Sequence, residues 1–135
     1  MTIRPIGIDH IVLRSRDLEG LVRFYCEVLG CTVEKRRDEL GLVHLRAGRS
    51  MIDLVDVNGV LGRAGGAPPG AEGKNLDHFA LRVEPFDADA IRAHLVAAGA
   101  SPSGVMENFG AEGTGPSIYV RDPEGNTVEL KGPTR

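Results

Sequence analysis

Seven residues near the start of the chain, Ile8-Asp9-His10-Ile11-Val12-Leu13-Arg14, return 68 positions later as Leu76-Asp77-His78-Phe79-Ala80-Leu81-Arg82. Asp, His, Leu and Arg are unchanged between the copies. Self-similarity at a fixed offset means that one structural unit is used twice, and any fold proposed for this sequence has to accommodate two copies. With 135 residues in all, both copies share about one domain's length of chain. At this size about two thirds of the surface of the unfolded chain is buried on folding, so a real core and one compact unit are expected.

The segments that follow each copy run in step. Asp17 is an N-cap candidate, and Leu18, Leu21, Val22, Tyr25, Val28 and Leu29 then lay one apolar stripe along a helix that Gly30 ends. In the second half Asp87 caps a helix with Ala90, Ile91, Leu95 and Ala98 as its buried face and Gly99 at its end. Strands are predicted at residues 32–36, 42–46 and 50–55, and again at 103–106, 117–121 and 127–131. Asp122-Pro123-Glu124-Gly125-Asn126 reads as a hairpin turn between the last two, with Ala47-Gly48-Arg49 as its counterpart. Each half is thus strand, helix and three strands, over residues of about 6–57 and 75–132. The glycine-rich stretch of about 58–74, with Pro68 and Pro69, is predicted to be an irregular linker, and Gly110 to Gly115 a loop.

Several function classes fall away. A hydrophobic fraction of 41% and a net charge of −3 lie far from the composition of disordered chains. The longest run without Asp, Glu, Lys or Arg, residues 93–106, is too short and too polar to span a bilayer, so no membrane association is expected. The N-terminus shows no secretory signal, which makes the cytoplasm the expected location. Cys26 and Cys31 read as structural thiols outside any disulfide. An acidic pI near 5.8 with scattered Lys and Arg argues against nucleic acid as a partner. No phosphate-cradling P-loop spacing occurs.

Strand alternation puts His10 on one face with Ile8, Val12 and Arg14, and Asp9, Ile11 and Leu13 on the other. His78 holds the same place in the second half, and pseudo-twofold symmetry would bring both imidazoles to one central site. The final strands add Asp53, in Met51-Ile52-Asp53-Leu54, and Glu129, in Thr127-Val128-Glu129-Leu130. An ionised carboxylate among apolar neighbours either faces solvent or meets a cation. His10, His78 and Glu129 supply two imidazoles and a carboxylate, a ligand set for a divalent metal with open positions, and Asp53 is available as a fourth. His44 and Tyr119 occupy corresponding places on the third strand of each half and are candidates to line the same site, whereas His94 falls on the exposed side of its helix.

The pattern Ile-Asp-His-Ile-Val-Leu, then Phe24-Tyr25 and Leu29-Gly30, then Asp122-Pro123-Glu124-Gly125-Asn126 before Val128-Glu129-Leu130, resembles the vicinal oxygen chelate superfamily. That superfamily takes in glyoxalase I, extradiol dioxygenases, and fosfomycin and bleomycin resistance proteins. The resemblance implies an α+β, glyoxalase-like fold in which two tandem βαβββ modules form a cupped mixed sheet. It implies one divalent metal ion (Ni, Zn, Mn, Fe or Co) held at the positions of His10, His78 and Glu129, commonly with Asp53 as a fourth ligand. A homodimer is implied too, with the metal site either within one chain or shared between two.

The activity so implied is that of a glyoxalase I-like lyase or isomerase. Its small-molecule substrate, such as a glutathione hemithioacetal, chelates the metal through two vicinal oxygens while Glu129 or Asp53 moves the proton. Arg14 corresponds to the arginine with which glyoxalase I holds the glutathione carboxylate. Two positions depart from the glyoxalase pattern: Asp53 is one methylene shorter than the usual Glu, and the expected asparagine falls on Val57, beside Asn58. The alternatives are an extradiol-type Fe(II)/Mn(II) dioxygenase with His44 as its acid-base group, a fosfomycin thiol transferase, or a bleomycin-binding protein. The last suits a chain with no Trp poorly.

Overall fold

The computed structural model describes all residues, Met1–Arg135. It divides into two compact units, Met1–Asn75 and Leu76–Arg135, at the boundary between the repeats. The first contains β1 (His10–Ser15), α1 (Leu18–Arg23), β2 (Thr32–Arg37), β3 (Leu42–Ala47) and β4 (Ser50–Asp56). Its strands are ordered β1-β4-β3-β2, with β1 parallel to β4 and the other pairs antiparallel. The second contains β5 (Phe79–Arg82), α2 (Ala88–Ala97), β6 (Met106–Gly110), β7 (Gly113–Arg121) and β8 (Thr127–Lys131). Their order β5-β8-β7-β6 and pairing directions repeat those of the first. Each unit is therefore the βαβββ module expected, an α+β arrangement with a four-stranded mixed sheet.

In the first module the Asp17 carboxylate caps α1 by accepting from Gly20 N at 3.1 Å. A Cβ at residue 20 would collide with that carboxylate. The glycine costs about 1 kcal/mol of helix propensity, and a side-chain cap contributes a similar amount. The apolar stripe buries Leu21, Val22, Phe24 and Tyr25, and the facing strands bury Leu13, Val43, Leu45, Ile52 and Leu54. Phe24 and Tyr25 meet edge to face, with ring centroids 5.4 Å apart. Beyond Arg23 the helix widens into a π-helical turn, Phe24–Val28, in which Leu29 N donates to Phe24 O at 3.2 Å. Gly30 follows with φ 81°, the left-handed conformation that ends the helix.

The second module departs from the sequence reading in two places. Of the apolar face predicted for α2, Leu95 is buried and Ile91 half-buried, while Ala90 and Ala98 are exposed. Alanine offers little area to bury, so one leucine anchors the helix. The strand predicted at 103–106 lies instead at Met106–Gly110, and β7 begins at Gly113 rather than at residue 117. Gly110 to Gly115, expected as a loop, is thus the tip of a tight hairpin, with Phe109 paired to Thr114 and Gly110 to Gly113 across an Ala111-Glu112 turn. Glycines lower strand propensity without preventing ladder formation, and Gly113 at φ 115° supplies the turn geometry.

The stretch between the modules has one 3-10 turn, Gly62–Gly65, and no strand or α-helix. Both cysteines are free thiols; burial of Cys31 pushes its thiol up to about 11, and burial also raises Cys26. No helix is long and apolar enough to cross a membrane.

Candidate functional site

Each module sets a carboxylate beside an imidazole on the sheet face opposite its buried apolar residues, and the first adds a second imidazole, His44. In the first, His10 pairs in register with Met51, Val12 with Asp53, and Asp53 with His44 across β3 and β4. Asp53 is 7% exposed. Its Oδ2 lies 3.9 Å from His10 Nε2. Its Oδ1 lies 3.0 Å from His44 Nδ1, yet accepts no hydrogen bond and is shut off from solvent. An orphaned carboxylate oxygen in such a place is costly unless a cation or a proton reaches it.

The second module repeats the plan with more support. Glu129 stands directly across β7 and β8 from Tyr119. Ser117 Oγ donates to Glu129 Oε2 at 2.7 Å and Tyr119 OH donates to Oε1 at 3.0 Å. Asn108 Nδ2 donates to the same Tyr119 hydroxyl at 3.0 Å. His78 Nε2 lies 3.4 Å from Glu129 Oε1, and the His78 ring meets Tyr119 edge-on at 5.7 Å. Burial first, and then the hydrogen bond to Glu129, push the Tyr119 hydroxyl above its ordinary pKa.

Both imidazoles are held from behind in the same way. His10 Nδ1 donates to Asp9 Oδ1 at 2.7 Å, and His78 Nδ1 donates to Asp77 Oδ2 at 2.6 Å. In the neutral ring these bonds place the proton on Nδ1 and leave Nε2 with a lone pair, the carboxylate–imidazole arrangement found behind metal-ligating histidines. The Asp9 bond, followed by the charge of Asp53, raises the pKa of His10. Strand alternation had assigned Asp9 to the opposite face. The recurrence of Asp before His in both repeats was the signal that it belongs with the ring.

Arg14 is engaged within its own module. Its Nη1 donates to Ala67 O at 2.8 Å, and its Nη2 donates to Gly62 O and Gly66 O, each at 2.9 Å. Its backbone exchanges two hydrogen bonds of 3.0 Å with the Asn75 side chain. The guanidinium thus ties the glycine-rich stretch to β1. Asp56 Oδ1 caps a turn by accepting from Asn58 N at 2.9 Å. His94 is exposed, as its helical position predicted.

Neither module by itself gathers three or more His, Cys, Asp or Glu side chains able to hold a metal ion. The donors each one presents nevertheless suit a divalent cation: an Nε2 lone pair oriented by a carboxylate, beside a buried carboxylate oxygen.

The family model for the Glyoxalase/Bleomycin resistance protein/Dioxygenase superfamily matches residues 7–130. The chain belongs to that superfamily. Among its relatives is the virulence protein STM3117 of Salmonella typhimurium, 32% identical over 125 residues that cover 91% of this chain and 81% of the relative. The crystal structure of that protein superposes with a TM-score of 0.78 at 28% identity, covering 99% of this chain and all of the other. A glyoxylase/bleomycin resistance protein/dioxygenase domain from Frankia sp. EAN1pec gives 0.74 at 26% identity, covering 97% and 100%. The lactoylglutathione lyase of Agrobacterium tumefaciens gives 0.65 at 22% identity, covering 95% and 94%, a likeness of fold alone. The superfamily includes enzymes.

Proposed function

We propose that this superfamily member is a metal-dependent lyase or isomerase acting on a small substrate with two vicinal oxygens. His10, His78 and Glu129 would be its metal ligands. The observation that carries the reading is the repeated pair, an Nε2 freed by an Asp-bound Nδ1 beside a buried carboxylate. A divalent ion held there would supply stabilisation of the negative charge that enolisation places on the substrate oxygens.

The two acids then divide the work. Glu129 has both oxygens fixed, by Ser117 and Tyr119, which suits a stationary ligand. Asp53 has one oxygen without a hydrogen bond and the His44 imidazole 3.0 Å away, which suits a proton carrier. In this reading the Asp53 carboxylate takes the proton from one substrate carbon and returns it to the next, with the His44 imidazole beside it. A homodimer belongs to the same proposal, since Ile3, Ile6, Ile8 and Val12 expose apolar surface that a second copy would cover.

Elemental analysis of protein purified without chelator tests the site. About one equivalent of metal in the parent, with little in His10→Ala or Glu129→Ala, supports it. Equal content in all three removes it. Turnover of methylglyoxal with glutathione, set against oxygen uptake on catechols, tests the reaction. The contact between His44 and Asp53 is what keeps a ring-cleavage dioxygenase as the second reading, with His44 as acid-base group and Asp53 unligated.

A further inference from the structure

Beside His78 and Glu129 the second module holds a cavity of about 270 Å³ whose walls include Arg82, Phe109, Glu112 and Lys131. Its size lies just under the usual range for small-molecule pockets, roughly 300–1,000 Å³, so it fits one end of a substrate better than a whole ligand. The mechanism above uses none of these four residues.

Lys131 is the unusual wall. It is 7% exposed, and its Nζ donates to a neutral partner, Asn108 O, at 2.9 Å, with no carboxylate within ion-pair distance. A buried ammonium is ordinarily paired with an anion. Its neighbour across the parallel β5–β8 ladder is Arg82, so two cations stand side by side where like charges disfavour each other. Arg82 meets carboxylates of the chain itself, Glu84 and Glu112, each at 3.2 Å, and both acids are largely solvent-exposed. Gly110 borders the lysine, and a Cβ there would lie 2.5 Å from Lys131 Cε. A buried ammonium bonded to a carbonyl and to no carboxylate, beside a second cation at the wall of a cavity, leaves room for an anion.

We infer that this cavity binds an anionic oxygen group of the substrate, a carboxylate or a phosphate, through Lys131 and Arg82, with Glu112 vacating Arg82 when the anion enters. Lys131 and Glu129 are two residues apart on one strand face, which sets the anion roughly 7 Å along the sheet from the acid. Exposed Phe109, at the hairpin tip, supplies an apolar wall for the carbon chain between. The inference rests on the proposed function only in treating the anion as part of the substrate; the anion site itself does not require the metal.

Metal-free protein labelled with nitrogen-15 is titrated with propionate in one arm and inorganic phosphate in the other, following the amide signals of Phe109 to Glu112 and of Lys131. Saturable shifts that weaken with added salt are expected, and the tighter arm identifies the anion. Lys131→Met should weaken binding about tenfold or more, as loss of a charge-assisted hydrogen bond would. Glu112→Gln should tighten it, because Arg82 loses a competitor, and a folding defect would not produce a gain. Shifts absent in both arms, or equal in the parent and both variants, overturn the inference. Elemental analysis of the same variants keeps the two readings separate: retained metal with no anion binding removes the pocket alone, and anion binding without metal removes the metal site alone.

Discussion

Tyr119 donates to Glu129 across a directly registered pair of β7 and β8, at the position where His44 faces Asp53 in the other module. One carboxylate is therefore hydrogen-bonded on both oxygens, and the other keeps an oxygen without a donor. Tyr119→Phe tests the better-supported acid. The change leaves Asn108 Nδ2 and Glu129 Oε1 short of a partner in a half-buried place. A stability loss of about 1–2 kcal/mol is expected, read by denaturant unfolding. Metal content should stay well above that of Glu129→Ala, because His78 and the carboxylate remain.

Asp9→Asn and Asp77→Asn test the support behind the rings. Each keeps an acceptor for Nδ1 but removes the charge, and losing such a partner lowers metal affinity by about 10–100-fold. Asp9→Asn should also bring the His10 pKa down, since the Asp9 bond is the largest cause of its rise. For a histidine whose folded pKa is raised, the stabilisation is complete below about 6.5 and fades as pH climbs through the folded value. Unfolding of the metal-free parent and variant should therefore differ most below pH 6.5 and converge above the parent's His10 pKa. Imidazole proton shifts locate that midpoint, and identical midpoints in the two proteins would refute the assignment.

The repeat made most of this legible. Two copies of Asp-His and of an acid in a final strand were enough to expect two βαβββ modules, and Asp17 and Asp87 cap their helices where the sequence placed them. What stayed hidden depends on backbone that leaves the regular ladder. Asp9 and Asp77 fold back onto the next residue because each lies before its strand begins, where alternation no longer governs side-chain direction. Arg14 binds carbonyl oxygens, which every residue carries and no sequence pattern distinguishes. The 106–110 strand was missed because its partner across the turn is written in glycines.

Arg14→Ala should loosen the stretch between the modules. Three carbonyl contacts from one guanidinium disappear together, and hydrogen bonds to a charged group contribute about 1.5–3 kcal/mol each when both partners are ordered. Cleavage by a protease within residues 62–73 should accelerate while the hairpin of β7 and β8 stays resistant. Arg14→Lys should not restore protection, since one ammonium cannot reproduce a planar fork that meets three carbonyls. If it does restore protection, charge rather than geometry holds the segment.

Asp53→Asn decides how the acids share the chemistry. The proposed function assigns Asp53 the proton and Glu129 the metal, so the two amide variants should fail differently. Asp53→Asn should retain metal and lose about 10²–10⁴-fold in kcat, the usual contribution of a positioned general base. Glu129→Gln should lose the metal itself. Asp53→Asn also removes a buried charge whose Oδ1 has no hydrogen bond. The metal-free variant should accordingly unfold no more easily than the parent, an outcome opposite to the usual cost of altering a buried polar residue. Metal loss from Asp53→Asn equal to that from Glu129→Gln would make Asp53 a ligand and pass the proton to another group, with His44, 3.0 Å away, the first to substitute.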